Sequence, residues 1–309
     1  KRLILAGTGA LRVFDLNVVR VAALAVGIVG AVAHIARDIV LTAVFGMVAH
    51  DRASRSDSGL AGQIYCVRRG AKYIFALGDL HLSHASSKPM DVFGGPWENY
   101  VEKIRLGFSA LHDDDVCVLC GDLAWGMTME QALPDFQFIE ALPGKKILLK
   151  GNHDFWWSSL TQVRAAMPDG MYVLQNDSLE MDGIVFCGTR GWTIVGDADD
   201  RQQDLKIYRR EVIRLEMALK CAARQAHGRD IVALMHYPPF DERQRPSGFT
   251  DLLEQYGVKQ VVYGHLHGQS LRSAFSGRLR GVDYFQVSCD GLGFKLLELP
   301  PIESSNKDA

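Results

Sequence analysis

Residues 116–122 of the chain read VCVLCGD, in which five apolar residues are followed directly by a glycine and an acidic residue. An apolar run of this length that ends at glycine is typical of a buried strand. Apolar runs also precede GDLH at 78–81, GNHD at 151–154, HYPP at 236–239 and GHLH at 264–267. Strands that each end at a polar cluster predict a sheet protein whose functional groups gather beyond the carboxyl ends of the strands.

The rest of the chain after residue 70 alternates between such apolar runs and longer amphipathic stretches. We predict strands at 73–77, 116–120, 147–149, 184–187, 231–235, 261–263 and 284–287, and helices at 98–111, 130–142, 158–167 and 203–226. This alternation predicts an α/β domain whose sheets are covered by helices.

The polar clusters contain the residue types that bind metal ions. Carboxylate and amide oxygens are hard ligands, and imidazoles suit borderline cations such as Mn, Fe and Zn. Asp79 and His81 are two residues apart at a predicted strand end, as are His265 and His267, so each pair projects to one side. A chance set of turn residues is the alternative, but five clusters in order at strand ends favour a metal site.

This set of motifs resembles that of the calcineurin-like metallophosphoesterases over roughly residues 71–300. The resemblance implies two packed mixed β-sheets flanked by helices, in a four-layer sandwich, and two bound divalent metal ions. The implied ligands form two sets that share Asp122 as a bridging carboxylate. They are Asp79, His81, Asp122 and His267 for the first metal, and Asp122, Asn152, His236 and His265 for the second. The sequence does not distinguish Mn, Fe, Zn, Mg and Co.

The resemblance also implies a reaction, the metal-dependent hydrolysis of a phosphate ester. Two cations ~3.5–4 Å apart can share a water and lower its pKa, which supplies a bridging hydroxide for attack on phosphorus. His153 lies outside the ligand set, and the resemblance makes it the general acid to the leaving group. The alternative for His153 is a histidine that only orients a ligand. For Asp154 we expect an orienting role towards a ligand or a loop.

The chain departs from many relatives at the second motif. Where they have GDxxDR, residues 121–126 read GDLAWG, so Trp125 replaces the second acidic residue and the arginine is missing. This argues against a protein phosphatase and leaves the metal site intact. Arg190, which follows a predicted strand, is our candidate for the missing substrate contact, and a solvated surface charge is the alternative.

Several aromatic residues lie close to the motifs in sequence. For these we predict packing beneath the loops of the site, with a pocket that stacks on a ring of the substrate as the alternative. They are Trp97, Trp125, Phe155, Trp156, Trp157 and Trp192.

Composition limits the partners and the compartment. The formal net charge of -2, and the 32 acidic against 25 basic residues after residue 70, give no basic surface for a polyanion. We therefore expect a small phosphoester substrate and no nucleic acid. Cys117 and Cys120 lie within an apolar run, so we interpret them as core residues of a protein in a reducing compartment, the cytoplasm. The sequence does not indicate an oligomeric state.

We divide the chain into an N-terminal extension (1–70), a catalytic domain (71–300) and a disordered tail (301–309). The extension carries nine basic and four acidic residues and two apolar runs, 21–33 and 39–49. Each run is shorter than the ~20 residues of a spanning helix.

Three interpretations of the extension stay open. It is an apolar helix that associates with a membrane through residues 16–50, a targeting leader, or an extension upstream of the natural reading frame. Two alternatives to an enzyme also follow, a non-catalytic binding or scaffold protein on the same fold and a membrane-tethered interaction protein.

Overall fold

The structure is a computed structural model that describes residues 2–7, 10–15, 73–195 and 202–302. The chain forms two compact units, Lys1–Val67 and Arg68–Ala309. In the first unit, β1 (Arg2–Gly7) and β2 (Ala10–Asp15) form an antiparallel pair. The predicted apolar helix at 16–50, the linker that follows it and residues 303–309 lie outside the described residues. Membrane association and the disordered tail therefore stay predictions. Within the described ranges, no helix has both the length and the apolar character needed to cross a bilayer.

The second unit contains two mixed sheets. The five-stranded sheet has four parallel strands, β3 (Ile74–Leu77), β4 (Val116–Cys120), β5 (Lys145–Leu149) and β6 (Met171–Leu174). A short strand, β13 (Leu297–Glu298), runs antiparallel along β3. The four parallel strands of this sheet have their carboxyl ends along one edge.

The six-stranded sheet has the same plan. Its parallel centre consists of β8 (Ile184–Thr189), β9 (Ile231–Met235), β10 (Gln260–Tyr263) and β12 (Val282–Gln286). The antiparallel edge strands are β7 (Ser178–Met181), which pairs with β8, and β11 (Gly277–Leu279), which pairs with β12.

Five helices complete the described part of the domain. They are α1 (Tyr100–Phe108), α2 (Met129–Glu140), α3 (Leu160–Ala166), α4 (Gln202–Ala226) and α5 (Gly248–Gln255). The start of α5 shows how the sequence sets a boundary. The Ser247 hydroxyl accepts a hydrogen bond from the Phe249 N–H at 3.1 Å, and the Thr250 hydroxyl accepts one from the Ser247 N–H at 2.8 Å. These bonds satisfy donors that the first helical turn leaves free.

Three buried apolar clusters define the layers. Val118 of the five-stranded sheet packs with Phe186 and Val232 of the six-stranded sheet, so the two sheets face each other. A second cluster lies between the five-stranded sheet and α1, α2 and α3, and a third between the six-stranded sheet and α4 and α5. The order of layers is helix, sheet, sheet, helix, which confirms the predicted fold class. Ile302 packs, partly buried, against the core between the sheets.

The sequence pattern located the inner strands and missed others. All seven predicted strands are present, with bounds that differ by at most two residues. The four strands that the pattern missed in this unit, β6, β7, β11 and β13, are the outermost strands of the two sheets. An edge strand is paired on one side only and is short, so it leaves a weak apolar signal. The pattern also missed α5, which has only eight residues.

Candidate metal centre

The carboxyl ends of the central strands converge on one site. Asp79, Asp122 and Asn152 follow β3, β4 and β5 of the five-stranded sheet. His236 follows β9 directly, and His265 lies two residues beyond β10. All seven predicted ligands, including His81 and His267, come together here. The two sheets are joined at this edge, because the Gly78 N–H donates to the Val287 carbonyl at 2.7 Å and the Gly78 carbonyl accepts from the Cys289 N–H at 3.1 Å.

The glycines of the motifs allow this approach. A Cβ atom on Gly151 would lie 2.0 Å from Oδ1 of Asp122, and a Cβ atom on Gly264 would lie 2.4 Å from Oδ2 of Asp79. Real Cβ atoms do not come this close to a neighbour, so any other residue would displace the carboxylate. Gly151 and Gly264, which precede Asn152 and His265, are therefore steric requirements of the site.

Four of the ligands adopt backbone conformations that side chains disfavour. Asp79, His81, Asp122 and His265 have φ values of 61°, 47°, 51° and 74°. The left-handed region costs a residue with a side chain roughly 1–2 kcal/mol. Strain of this kind concentrates at functional sites, where the surrounding structure holds it in place.

One group of candidate ligands consists of Asp79, His81 and His267. Nε2 of His81 lies 3.4 Å from Nε2 of His267, and Nε2 of His267 lies 3.7 Å from Oδ1 of Asp79. The Asp122 carboxylate borders the group, with Oδ2 3.8 Å from Nε2 of His81. This is the first predicted ligand set.

The second group surrounds Nε2 of His236. This nitrogen lies 2.7 Å from Oδ1 of Asn152, 3.3 Å from Nδ1 of His265 and 3.5 Å from Oδ2 of Asp122. Oδ1 of Asn152 and Nδ1 of His265 are 3.0 Å apart. The second predicted set is thereby assembled too, and Asp122 borders both groups. Asp79 also approaches His236, with Oδ1 3.7 Å from Nδ1.

The donor atoms fit a cation. Nδ1 of His236 lies 3.0 Å from the Cys120 carbonyl, which only accepts hydrogen bonds, so Nδ1 carries the hydrogen and Nε2 presents its lone pair. That lone pair faces the Asn152 oxygen and the Asp122 carboxylate, both acceptors. Nδ1 of His267 donates in the same way to Oδ1 of Asp290 at 2.8 Å, which turns Nε2 towards the first group. Such outer hydrogen bonds orient the histidine ligands of metal sites.

The pKa shifts of the ligands follow from burial and charge. Burial lowers the pKa of His81 and of His265 to about 3, which keeps their lone pairs available at neutral pH. Burial opposes protonation of His267 as well, but contacts with Asp290 and Asp79 outweigh it and raise its pKa to about 10. A proton on His267 thus supplies positive charge where a cation would lie. Burial raises the pKa of Asp122, and the Asp79 charge raises it further.

His153 lies beside the ligands and belongs to neither group. Its backbone N–H donates to Oδ1 of Asp122 at 2.8 Å, which fixes the loop that carries the imidazole. The ring centroid is 4.6 Å from Trp125, 5.8 Å from His81 and 6.1 Å from Phe155. Burial lowers the pKa of the imidazole, which is half-buried, so it holds a proton less readily than a free histidine. The general-acid role stays a prediction.

Asp154 ties two ligand loops together. Its carboxylate accepts hydrogen bonds from the backbone N–H groups of Gly151 at 2.7 Å, Asp122 at 2.9 Å and Leu123 at 2.8 Å. Nε1 of Trp156 donates to it at 3.0 Å. The carboxylate is fully buried, and burial together with the Asp122 charge raises its pKa to about 6. The orienting role that the sequence suggested for Asp154 is consistent with these contacts.

Asp290, which orients His267, is not among the site residues predicted from the sequence. Residues 287–290 read VSCD, so Asp290 follows a buried strand, β12, as the other polar clusters do. The same signal that identified the ligands would have found it. The Cys120 carbonyl, which orients His236, is a backbone group and leaves no signal of its own in the sequence.

Arg190 lies in neither ligand group. Its guanidinium packs 4.7 Å above the Trp192 ring, and Nη2 is 3.8 Å from Oε1 of Glu211. Its carbonyl accepts hydrogen bonds from the N–H groups of His236 at 3.1 Å and Tyr237 at 2.9 Å. The backbone of Arg190 therefore supports a ligand loop while its side chain lines a neighbouring cavity.

The aromatic residues divide between packing and the site. Trp97, Trp156 and Trp157 are buried in the core beneath the loops, which confirms the predicted packing for these three. Trp125 is partly buried and stacks on His81 with a centroid distance of 4.9 Å. Phe155 is 52% exposed beside His153, so it is available to a bound molecule. The five described cysteines are free thiols, and Cys117 and Cys120 are buried in the core as predicted.

Comparisons with known proteins bear on the family. The calcineurin-like phosphoesterase family matches residues 72–269. No curated protein matches the chain. Similar solved structures include the protein of unknown function AQ665 from Aquifex aeolicus, at 15% identity and a TM-score of 0.39 over 74% of this chain and 96% of that one. Another is the phosphopantetheinyl hydrolase PptH from Mycobacterium tuberculosis, at 16% identity and a TM-score of 0.46 over 74% and 96%. Purple acid phosphatase PPD1 from yellow lupin (Lupinus luteus) seeds is similar at 15% identity and a TM-score of 0.34 over 63% and 38%.

Proposed function

The chain belongs to the calcineurin-like phosphoesterase family, and from this premise we propose that it hydrolyses small phosphate esters with the help of two divalent metal ions. The observation that carries the proposal is the convergence of ligand atoms at one edge of the two sheets. Two groups of donors lie there, each bordered by the Asp122 carboxylate, and the hydrogen bonds of His236 and His267 turn a ring nitrogen of each histidine inward.

The proposed ligands are those that the structure brings together. Asp79, His81, Asp122 and His267 would hold one ion, and Asp122, Asn152, His236 and His265 the other. When bound, such ions supply Lewis-acid stabilisation of the phosphoryl oxygens and a water of lowered pKa. The protein contributes the fixed positions of the ligands, since Asp79 accepts two contacts from the His265 N–H at 3.0 and 2.9 Å and cannot rotate freely.

For His153 we propose the role of general acid to the leaving group. Its imidazole is half-buried beside His81 and belongs to neither ligand group. The wall formed by Trp125 and Phe155 limits the positions that the ring can take. A proton delivered from a fixed imidazole to the leaving oxygen would contribute about 10²–10⁴ to the rate.

The net charge of the chain supports a small phosphoester as the substrate. The net charge of -2 offers no general attraction for a nucleic acid, and Arg190 is the proposed substrate contact. A cytoplasmic location fits the five described cysteines, all of them free thiols.

The test is the hydrolysis of an aryl phosphomonoester and an aryl phosphodiester by the full chain after metal removal and titration with divalent cations. We expect metal-dependent turnover of at least one ester, with bound metal measured in parallel. Asp122→Asn should abolish turnover and reduce metal binding, whereas His153→Gln should reduce turnover and leave metal binding near the wild-type level.

His112→Gln is the matched control. His112 is exposed and precedes β4, so it lies at the opposite end of the strand from Asp122. Metal binding without hydrolysis of either ester would favour the alternative of a binding or scaffold protein. A chain that binds no divalent cation would refute the proposal.

A further inference from the structure

A cavity of 220 Å³ adjoins the metal centre. This volume corresponds to about seven water molecules at liquid density, which is room for an oxyanion and part of its hydration. The cavity lies where β5 and β8 end and α4 passes. Its charged lining residues are Lys150, Arg190, Arg210, Arg214 and Glu211.

The charges of this lining are unbalanced. Among the described residues that line the cavity, four are cations and one is a carboxylate. Glu211 is 1% exposed and accepts hydrogen bonds from Nη1 of Arg214 at 2.6 Å and from the Thr189 hydroxyl at 3.0 Å. Arg190 and Arg210 lie further from it, at 3.8 and 4.0 Å. One carboxylate that already has two close donors cannot neutralise four cations.

The fourth cation is Lys150. Nζ of Lys150 donates to the Trp157 carbonyl at 3.3 Å, a neutral acceptor. The guanidinium of Arg190 lies over the Trp192 ring, and its side chain is 23% exposed. Arginines in a partly desolvated cavity bind phosphate or carboxylate oxygens through paired N–H donors. The cavity therefore has the charge and the donors of an anion site.

The cavity and the metal centre share backbone segments. Lys150 directly precedes Gly151 and the ligand Asn152, and the Arg190 carbonyl accepts the N–H of the ligand His236. The Trp192 ring that supports Arg190 lies 5.1 Å from Tyr237, and Tyr237 packs 4.0 Å from the ring of His265. The loops that carry Lys150 and Arg190 therefore also carry or support the candidate ligands Asn152 and His236.

We propose that this cavity binds a second anionic group of the substrate, a phosphate or a carboxylate, while the scissile phosphoryl group lies at the metal centre. The inference rests on the proposed function and extends it, because it narrows the substrate to a phosphoester that carries a further anion. It also gives Arg190 a defined partner, which is the second anion.

A purely structural role for the cations is the competing explanation. Arg214 and Thr189 already hold Glu211, which attaches α4 to the end of β8. That attachment needs neither Arg210, whose side chain is 54% exposed, nor Lys150. Arg210 can therefore be changed without breaking the close contacts of Glu211.

The first experiment measures the binding of inorganic pyrophosphate to the metal-free full chain by titration calorimetry, so that it does not depend on catalysis. We expect saturable binding that Arg210→Gln weakens about tenfold, the size expected for one charge-assisted hydrogen bond, and that Arg210→Lys largely restores. Arg224→Gln is the control, since Arg224 is an exposed residue near the other end of α4. No binding, or equal weakening in both glutamine variants, would overturn the proposal.

The second experiment tests the substrate role with the metal-loaded enzyme. It compares kcat/KM for alkanediol bisphosphates of increasing length with kcat/KM for the matching alkyl monophosphates. We expect a preference for a bisphosphate of one length, and this preference should fall about tenfold in Arg210→Gln and persist in Arg224→Gln. An unchanged preference in Arg210→Gln would overturn the substrate role.

The two failures are distinguishable. If neither ester class is hydrolysed although Arg210→Gln weakens pyrophosphate binding, the proposed function fails and the cavity is an anion site that serves no substrate. If free phosphate changes kcat for the monophosphates while the bisphosphates gain no preference, the anion is an effector, which also overturns the substrate role.

Discussion

The two sheets supply different halves of the candidate metal centre. The five-stranded sheet provides the oxygen ligands, Asp79, Asp122 and Asn152, together with His81, whereas the six-stranded sheet provides only imidazoles, His236, His265 and His267. The oxygen ligands Asp79 and Asp122 are held by backbone N–H groups. The imidazoles His236 and His267 are held through their second ring nitrogen by an acceptor, a carbonyl for one and a carboxylate for the other.

The two halves also share a feature, because each contains a ligand that is held by a backbone group of the other sheet. The N–H that holds Asp79 belongs to His265 of the opposite sheet, and the carbonyl that holds His236 belongs to Cys120, again of the opposite sheet. Each half of the centre is thus oriented in part by the backbone of the other. The site is therefore a joint between the two sheets, and a change in either half should weaken it in a different way.

The largest effect should come from removing the metals, since this loosens both halves at once. Metals that bind only the folded chain stabilise it by about 4 kcal/mol at a free concentration 1,000 times Kd. We expect chelation to lower the midpoint of thermal unfolding, as measured by calorimetry. An unchanged midpoint would show that the metals do not join the two sheets.

A smaller loss of stability should follow from replacing the Asp154 carboxylate, which holds the loops of the oxygen ligands. In Asp154→Asn, an amide N–H₂ replaces one carboxylate oxygen and faces either the N–H groups of Gly151 and Asp122 or that of Leu123, so buried donors lose their acceptor. We expect the free energy of unfolding of the metal-free chain to fall by about 3 kcal/mol. Denaturant titration measures this, and Asp169→Asn, at an exposed position, serves as the control. A loss below that of the control would refute the role of Asp154.

The imidazole half offers the matching test. Asp290→Asn keeps the shape of the residue that orients His267 and removes its charge. We expect metal affinity to fall about 10–100-fold, as for other changes of groups that orient ligands. The free energy of unfolding of the metal-free chain should also fall at pH 7, because the protonated His267 loses its charged partner. Asp283→Asn, in the same sheet, is the control, and competition with a metal indicator gives the affinity.

The smallest expected effect is the dependence of metal affinity on pH. His267 has a pKa raised to about 10, so it is protonated at pH 7, and its proton must leave when a metal binds. Metal affinity should therefore rise with pH between 7 and 10, by up to about tenfold per pH unit for this one proton. His81, with a pKa of about 3, is already neutral and adds no dependence in this range. Calorimetry in buffers of different ionisation enthalpy counts the protons released, and Asp290→Asn should reduce that number.

The sequence predicted the inner strands and the polar clusters that contain all seven candidate ligands for one physical reason. Each ligand follows a central strand, and a central strand is buried on both faces, so its apolar run is plain in the sequence. Edge strands such as β7 and β11 form because they pair with a neighbouring strand, and a local sequence pattern does not reveal that pairing. The cavity was missed because Lys150, Arg190 and Arg210 are far apart in sequence and meet only in the folded chain.

The left-handed backbone of Asp79, His81, Asp122 and His265 has a consequence for the history of such sequences. Glycine adopts this conformation without steric cost, so a glycine at any of these positions would relieve the backbone strain. Mutation pushes proteins towards a stability threshold, and only selection for activity opposes a substitution that stabilises. Copies of this gene released from catalysis should therefore drift to glycine first at His81 and His265, since Asp79 and Asp122 also accept hydrogen bonds from backbone N–H groups. A related sequence that keeps all four residues would then be expected to have remained under selection for activity.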